Sequence, residues 1–292
     1  MVRDEHSTIK GISLLACPLC YKELRQVDTS LKCANGHTFD IAREGYVNLL
    51  LQKRSGDAKE MLLARRSFLE RGFYAPLSDA VNELVRIHVP DVEEPVHILD
   101  AGCGEGYYLD RLQNALAPRQ NGCYIGLDVS KEAIRMAAKR YRQLLFVVAD
   151  VNQRLVLADG VMHAILNIFA PRNASEFARV TVAGGILIVV IPNPEHLLRL
   201  RTALGLLGME EQKQQHVKEQ FAGQFEFVAS SSIAYSMHLN REEIEEAVMM
   251  TPNYWHLSDE MREAMWKMEE IETEAAFSAL VFKRKYQSPI FT

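Results

Sequence analysis

Three cysteines and a histidine open the chain's chemistry, in the pattern Cys17-x2-Cys20-x12-Cys33-x3-His37. Three thiolates and one imidazole are a full tetrahedral set for zinc. Ligands paired at each end suit two short turns, each presenting two side chains, with Gly36 easing the second. Four protein ligands leave no position for a water, so the expected role is structural. The histidine and the closed tetrahedron favour Zn2+ over iron. The alternative, four unrelated core or surface residues, leaves this zinc-finger spacing unexplained. His6, His88 and His97 have no partner at ligand spacing.

A second constellation follows in "ILDAGCGEGYYLDRL" (98–112). It reads as a strand ending at Asp100, a turn with Gly102, Gly104 and Gly106, and the start of a helix. Glycines let a backbone turn sharply and approach a ligand at a helix N-terminus. The next strand ends in "GLDV", which places Asp128 where a carboxylate accepts the ribose hydroxyls of an adenosine cofactor. The third ends in "VAD" and puts Asp150 at the same rim, suited to an adenine amino group. A dinucleotide loop asks for G-x-G-x-x-G around a pyrophosphate; here the spacing is G-x-G-x-G and the strand ends are acidic. A cofactor with a cationic amino acid at one end and adenosine at the other fits, namely S-adenosylmethionine. Cys103, inside the loop, has no histidine to activate it and reads as a small buried residue.

These sites need elements to hold them. Of the 292 residues, 48% are hydrophobic and 24% charged, which suits an ordinary globular chain with one large core or two domains. No apolar run approaches the roughly 18–20 residues that span a bilayer. The opening residues make a poor signal peptide, and four of the five cysteines lie in motifs, so a disulfide framework is not expected and a reducing cytoplasm is. The net charge is −5, but residues 1–75 carry 12 Lys+Arg against 9 Asp+Glu and the remainder 21 against 29. An acidic body with a mildly basic front can still bind phosphate locally.

Behind the knuckle, "YVNLLL" predicts a strand and Ser55-Gly56-Asp57 a turn. "AKEMLLARRSFLERGF" predicts a helix with Ala58, Met61, Leu62, Phe68 and Leu69 on one stripe and Arg65 inside it. "PLSDAVNELVRIHV" predicts another, with Pro76 in its first turn. "PDVEEP" (90–95) breaks the chain. Five apolar runs then alternate with helices: "VHILDAG", "CYIGLDV", "LLFVVAD", "MHAILNIF" and "GGILIVVIP". Such runs predict a parallel sheet covered on both faces. Residues 209–220 read as a solvated helix or insert, and "EFVASSSIAYSMHL" and "EAAFSALVFKRK" as closing strands.

With these stretches in order, the chain resembles the bacterial 23S ribosomal RNA (guanine-N1)-methyltransferases. The resemblance runs over about residues 17–285 through "CPLC", "GHTFDIAREGYVNLL", "GDAKEMLLARRSFLERGFYAPL", "LDAGCGEGYY", "GLDVSKEAI", "IFAP", "PEHL" and "MTPNYW". It implies an α/β protein: a Rossmann-like class I methyltransferase sheet with a small N-terminal zinc-binding module. The expected division is an extension over 1–16, a zinc and RNA-recognition module over 17–56, a helical connector over 57–95 and a methyltransferase domain over 96–292. By resemblance Cys17, Cys20, Cys33 and His37 hold zinc, and Gly104, Glu105, Tyr74 and His196 join the cofactor site. The fourth strand departs from the family: in "LVLADGVMHAILNIFAP", His163 stands where an aspartate is usual and Asn167 where an arginine is usual. That edge is expected to face the methyl-transfer site.

Guanine N1 lies on the pairing edge, so the target must be unpaired or extruded. Asn167 is a candidate for orienting the base, and Tyr254 and Trp255 for stacking on it; a structural asparagine and core aromatics are the plainer readings. The knuckle and the cations Arg43, Lys53, Arg54, Lys59, Arg65 and Arg66 are expected to hold a 23S rRNA hairpin, against a merely solvated charged face. No membrane partner is expected; dimerisation, macrolide resistance and the general base are left open by the sequence. Three rivals remain: a methyltransferase for a small molecule, which leaves the zinc module idle, a nicotinamide oxidoreductase, which the glycine spacing opposes, and a non-catalytic zinc RNA-binding protein, which leaves the acidic rim idle.

Overall fold

The computed structural model describes residues 9–52, 54, 56–89, 95–116, 122–206, 208, 210, 212–251, 255 and 257–286. Of the residues singled out above, His6, Lys53, Ser55 and Tyr254, with positions 90–94, lie outside that set.

Three short strands, β1 (Leu24–Val27), β2 (Ser30–Cys33) and β3 (Thr38–Asp40), form a small antiparallel sheet around the knuckle. The strand β4 (Val47–Asn48) leads through a short segment to helices α1 (Lys59–Glu70) and α2 (Ala75–His88). The alternating part runs β5 (His97–Ala101), α3 (Tyr107–Leu116), β6 (Cys123–Asp128), α4 (Lys131–Arg140), β7 (Leu145–Val148), β8 (Met162–Ile168), α5 (Ala174–Val180) and β9 (Thr181–Pro192). It closes with α6 (Leu198–Leu204), α7 (Lys213–Phe221), β10 (Phe225–Asn240), α8 (Arg241–Met249), α9 (Asp259–Lys267) and β11 (Glu270–Arg284).

One eight-stranded sheet dominates, in the order β10-β11-β9-β8-β5-β6-β7-β4. The strands from β4 to β9 pair in parallel, and β11 and β10 are added antiparallel at one edge. Successive residues of a strand point to opposite faces, and both faces here are apolar. Ile98, Phe146, Val148, Leu166 and Ile188 feed one core, while Leu99, Leu145, Val147, Ile165 and Leu187 feed the other. That two-sided burial explains why these strands read as unbroken apolar runs.

The zinc module is not a bead on a string. Ile12, Leu15, Cys17, Leu24, Leu31 and Cys33 belong to the second core, with Ile125, Leu127 and Val147 of the large sheet. The segment after the knuckle continues that sheet, since Val47 pairs with Val147 and Asn48 with Val148. Residues 9–16, expected as a mere extension, therefore contribute buried side chains. The polar stretch over 209–220 carries α7, whose Val217 and Phe221 pack beside Phe225 and Phe282. Its apolar positions are few but point one way.

The helix α1 buries Met61, Leu62, Ala64, Phe68 and Leu69, so the stripe read from the sequence is the face it packs. Arg65 lies in that stripe, which turns its guanidinium inward. The departure at His163 lies elsewhere than expected. The residue starts β8 and meets His97 at the start of β5, where the His97 N–H donates to His163 Nδ1 at 3.1 Å. That is the end of the parallel strands opposite Asp100, so His163 does not face the cofactor rim; only Asn167, near the other end of β8, does. Among the described residues, no helix is long and apolar enough to cross a membrane.

Candidate cofactor and metal sites

The ligand atoms of Cys17, Cys20, Cys33 and His37 all lie within 4.8 Å of one another. Cys17 Sγ is 3.4 Å and Cys33 Sγ 3.5 Å from His37 Nδ1, and Cys20 Sγ is 3.6 Å from Cys33 Sγ. A zinc–sulfur bond of about 2.3 Å implies tetrahedron edges near 3.8 Å, so the four atoms already frame a zinc-sized space. Two turns set them: the Tyr21 N–H donates to the Cys17 carbonyl at 2.8 Å, and the Gly36 N–H to the Cys33 carbonyl at 3.0 Å. Burial pushes the Cys17 thiol up. At Cys33 burial acts the same way, but the backbone N–H groups of Asn35 and His37 outweigh it and hold that thiol down at about 6. A thiol already near its thiolate is a ready metal ligand.

The second site forms where β5 gives way to α3. The N–H groups of Gly102 and Cys103 both donate to the Leu127 carbonyl, at 2.8 and 2.9 Å, pulling the loop onto β6. Gly102 has φ 92°, and any Cβ there would collide with Cβ of Ala170. At the strand's end, Asp100 is only 1% exposed, and neither carboxylate oxygen has a hydrogen-bond partner. An orphaned buried carboxylate is costly. Burial, then Asp128 and Glu105, push its pKa up to about 8.

Around it stand two further acids. Asp128 accepts from Gly104 N at 2.9 Å and from Ser130 N at 2.8 Å, and burial raises its pKa. Glu105 is likewise raised by burial, with Arg65 pulling it back. One guanidinium, that of Arg65, answers Glu105 and Asp128 together with Asp57. Arg65 ion-pairs with Asp57 at 2.5 Å, donates to the Met250 carbonyl at 3.4 Å, and lies 3.7 Å from where a Gly104 Cβ would stand. Three buried carboxyl groups stand beside a single guanidinium that is already paired with Asp57, so the rim holds more acids than cations. A ligand bearing an ammonium and a sulfonium fits that excess of acids, which it would draw into the ionised form, and so the residues present fit S-adenosylmethionine.

Asp150, at the end of the next strand, accepts from Asn152 N at 2.9 Å and ion-pairs with Arg54 at 3.6 Å. The structure therefore places Arg54 and Arg65, expected on an RNA-facing surface, over the acidic rim. Arg66 turns the other way. With Lys59 of α1 and Arg135, Lys139 and Arg140 of α4 it lines a groove of about 440 Å³. Glu70 binds both Arg66 and Arg140, and Glu132 binds Arg135.

Tyr74 and His196, 122 residues apart, meet in the interior at 3.0 Å, each 5% exposed or less. The Ala276 N–H donates to His196 Nδ1 at 3.3 Å. That bond assigns the imidazole proton to Nε2, which donates to Tyr74 Oη and leaves the hydroxyl hydrogen free to point elsewhere. Burial, with Arg201 second, drives the His196 pKa down to about 3, so the ring is neutral. His196 thus has both nitrogens engaged by protein.

Asn167 is 1% exposed and spends its amide on backbone, donating to Ala101 O at 3.1 Å and Pro171 O at 2.8 Å. It braces the turn that follows β8. Cys103 is buried, with its thiol raised well above the ordinary value by burial, which suits a packing residue. Trp255 is 63% exposed. Arg65 was singled out from the sequence, as a cation inside an apolar stripe, but for RNA rather than for the acidic rim; Phe169, in the turn after β8, escaped that reading and carried no signal beyond its type.

Comparison with known proteins agrees with this geometry. The N-terminal zinc ribbon of RlmA proteins matches residues 15–55, and a methyltransferase domain matches residues 98–185. The chain is 38% identical to the 23S rRNA (guanine(748)-N(1))-methyltransferase of Streptomyces fradiae, over 84% of this chain and 87% of that one. It is 39% identical to a Micromonospora griseorubida protein named as a candidate 23S rRNA (guanine-N(1)-)-methyltransferase, over 83% of this chain and 87% of the other. A Bacillus subtilis protein named in the same way is 38% identical over 66% of this chain and 69% of its own length. A zinc-sized Cys3His cage, a glycine loop under an unpaired carboxylate and relatives of this reach place the chain in the family of 23S rRNA (guanine-N1)-methyltransferases.

Proposed function

We propose that the chain methylates N1 of one guanine, presented in a hairpin loop of 23S rRNA, at the rim formed by Asp100, Glu105 and Asp128. The observation that carries this reading is Asp100, a buried carboxylate with neither oxygen partnered, beside a glycine loop in a chain of this family. S-adenosylmethionine, when bound, supplies a methyl group already activated on a sulfonium sulfur. What remains for the protein is alignment of that carbon with the acceptor nitrogen, whose N1 proton passes to water as the N–CH3 bond forms and the sulfonium S–CH3 bond breaks.

Each residue then has a task. Asp100 receives the ammonium of the cofactor's amino-acid end, and the loop through Gly102 and Gly104 lets the backbone approach it closely. Asp128 keeps lone pairs beyond its two backbone partners for the ribose hydroxyls, and Asp150 takes the adenine amino group once Arg54 shifts off it. Tyr74, oriented by His196, offers a hydroxyl hydrogen to the cofactor. Arg65 balances the acids so that they do not repel the electron-rich base. The zinc ribbon, packed on one face of the sheet, holds the hairpin, and Arg66 with the neighbouring cations meets its phosphates.

A methyl on N1 blocks base pairing, so primer extension on 23S rRNA treated with the protein and S-adenosylmethionine reads the reaction directly. The expected result is one new stop at a guanine in a hairpin loop. An unchanged extension pattern alongside consumed cofactor would contradict the reading.

A further inference from the structure

Phe169 stands out because nothing in the folding of the chain asks for it. It adopts φ 54°, the left-handed region, one of four non-glycine residues to do so among the described residues. For an L-residue with a bulky side chain that conformation is strained, and such strain collects at functional sites. A residue forced into it would ordinarily be glycine or asparagine. The ring is also 44% exposed, whereas Ile168 beside it is buried, so the strain is not repaid by burial of the ring.

The turn that imposes this conformation is held from several sides. The Phe169 N–H donates to the Val190 carbonyl at 3.2 Å, and Asn167 clasps Pro171 and Ala101. Ala170, the next residue, abuts Gly102 so closely that no Cβ fits there. The exposed ring therefore stands one residue from the cofactor loop, at the same end of the parallel strands as Asp100. Its inner edge rests on Tyr74, with centroids 6.3 Å apart, and on Phe277, 5.4 Å apart and tilted by 43°. A flat apolar face, rigidly mounted beside the methyl donor's loop, is what an extruded base needs to stack on.

We infer that Phe169 is the platform on which the everted guanine stacks for methyl transfer, a positioning role that rests on the function proposed above. The purine face lies on the exposed side of the ring while N1 turns toward the cofactor loop. The test compares Phe169→Ala, Phe169→Gly and Phe169→Trp with the wild type, in single-turnover methylation of a 23S rRNA fragment, in S-adenosylmethionine affinity and in thermal midpoint. Stacking lost to alanine or glycine lowers the methylation rate by about 5- to 150-fold, with cofactor affinity changed less than about twofold. Tryptophan, which keeps a stacking face, stays within about threefold of the wild type. The glycine variant relieves the strained φ, so its midpoint is expected not to fall, a pairing of lost activity with kept stability that a purely structural residue would not give. Full activity in the alanine variant, or tryptophan as inactive as alanine, would overturn the inference while leaving the function standing. A wild type that methylates no guanine would overturn both.

Discussion

The zinc cage and the acidic rim are both incomplete as polypeptide, in opposite ways. In the cage, four ligand atoms crowd within 4.8 Å around a space that one ion fills. At the rim, Asp100 has two unpartnered oxygens, and burial, followed by its acidic neighbours Asp128 and Glu105, pushes its pKa up to about 8. The cage supplies all four ligands itself and shares a core with the large sheet, so its ion is part of the fold. The rim opens at the ends of the strands and spends stability to keep an unpartnered, protonated carboxyl waiting. A structural site completes itself permanently; a cofactor site stays unsatisfied until its ligand arrives.

Substitutions can break that contrast. Asp100→Asn removes the carboxyl that ionises against the cationic ligand and should weaken S-adenosylmethionine binding by about 30- to 3000-fold, the scale for losing one partner of a buried charge pair. The free protein should not suffer. Because burial holds Asp100 protonated, its contribution to stability is full below 3.8 and is lost as pH rises through about 8. The asparagine variant should therefore match the wild type near pH 4 and melt above it at pH 8, by calorimetry. Removal of zinc, by chelator or by Cys33→Ser, should do the reverse. The midpoint should fall by about 10 °C as several kcal/mol of fold stabilisation go, with cofactor affinity altered less than about threefold.

Smaller effects sharpen the same picture. Asn167→Ala leaves the Ala101 and Pro171 carbonyls without their donor and should cost about 1–3 kcal/mol of stability, read from denaturant titration. A loss with cofactor affinity intact would mark it as a brace. Arg66→Glu, in the groove between α1 and α4, should weaken binding of a 23S rRNA hairpin several-fold and reduce the salt slope by about one, with cofactor affinity unchanged. Unaltered RNA affinity would remove that groove from the binding surface.

How much of this was legible in the sequence follows from distance along the chain. The four zinc ligands fall within 21 residues, so spacing alone displayed them. The parallel strands were legible because burial on both faces leaves no polar residues to break the runs. The acidic strand ends followed from the same runs. Contacts across the chain were not legible from spacing. Tyr74 and His196 meet over 122 residues, and only the family resemblance pointed to them. The cations behind the knuckle read as one basic patch, yet α1 turns Arg65 toward the rim and Arg66 toward α4, since adjacent residues on a helix point about 100° apart. His163 was misplaced for a related reason: a strand has two ends, and its position along "MHAILNIF" puts it at the end away from the cofactor.

The proton that Asp100 gives up can be counted. Calorimetric titration of S-adenosylmethionine at pH 7, repeated in buffers of different ionisation enthalpy, gives the protons released on binding. A carboxyl with a pKa of about 8 is mostly protonated in the free protein at that pH, and a cationic ligand drives it to ionise. The account predicts release of most of one proton per site by the wild type, shrinking toward zero above pH 9 and missing in Asp100→Asn. Binding with the same proton count in wild type and variant would contradict it.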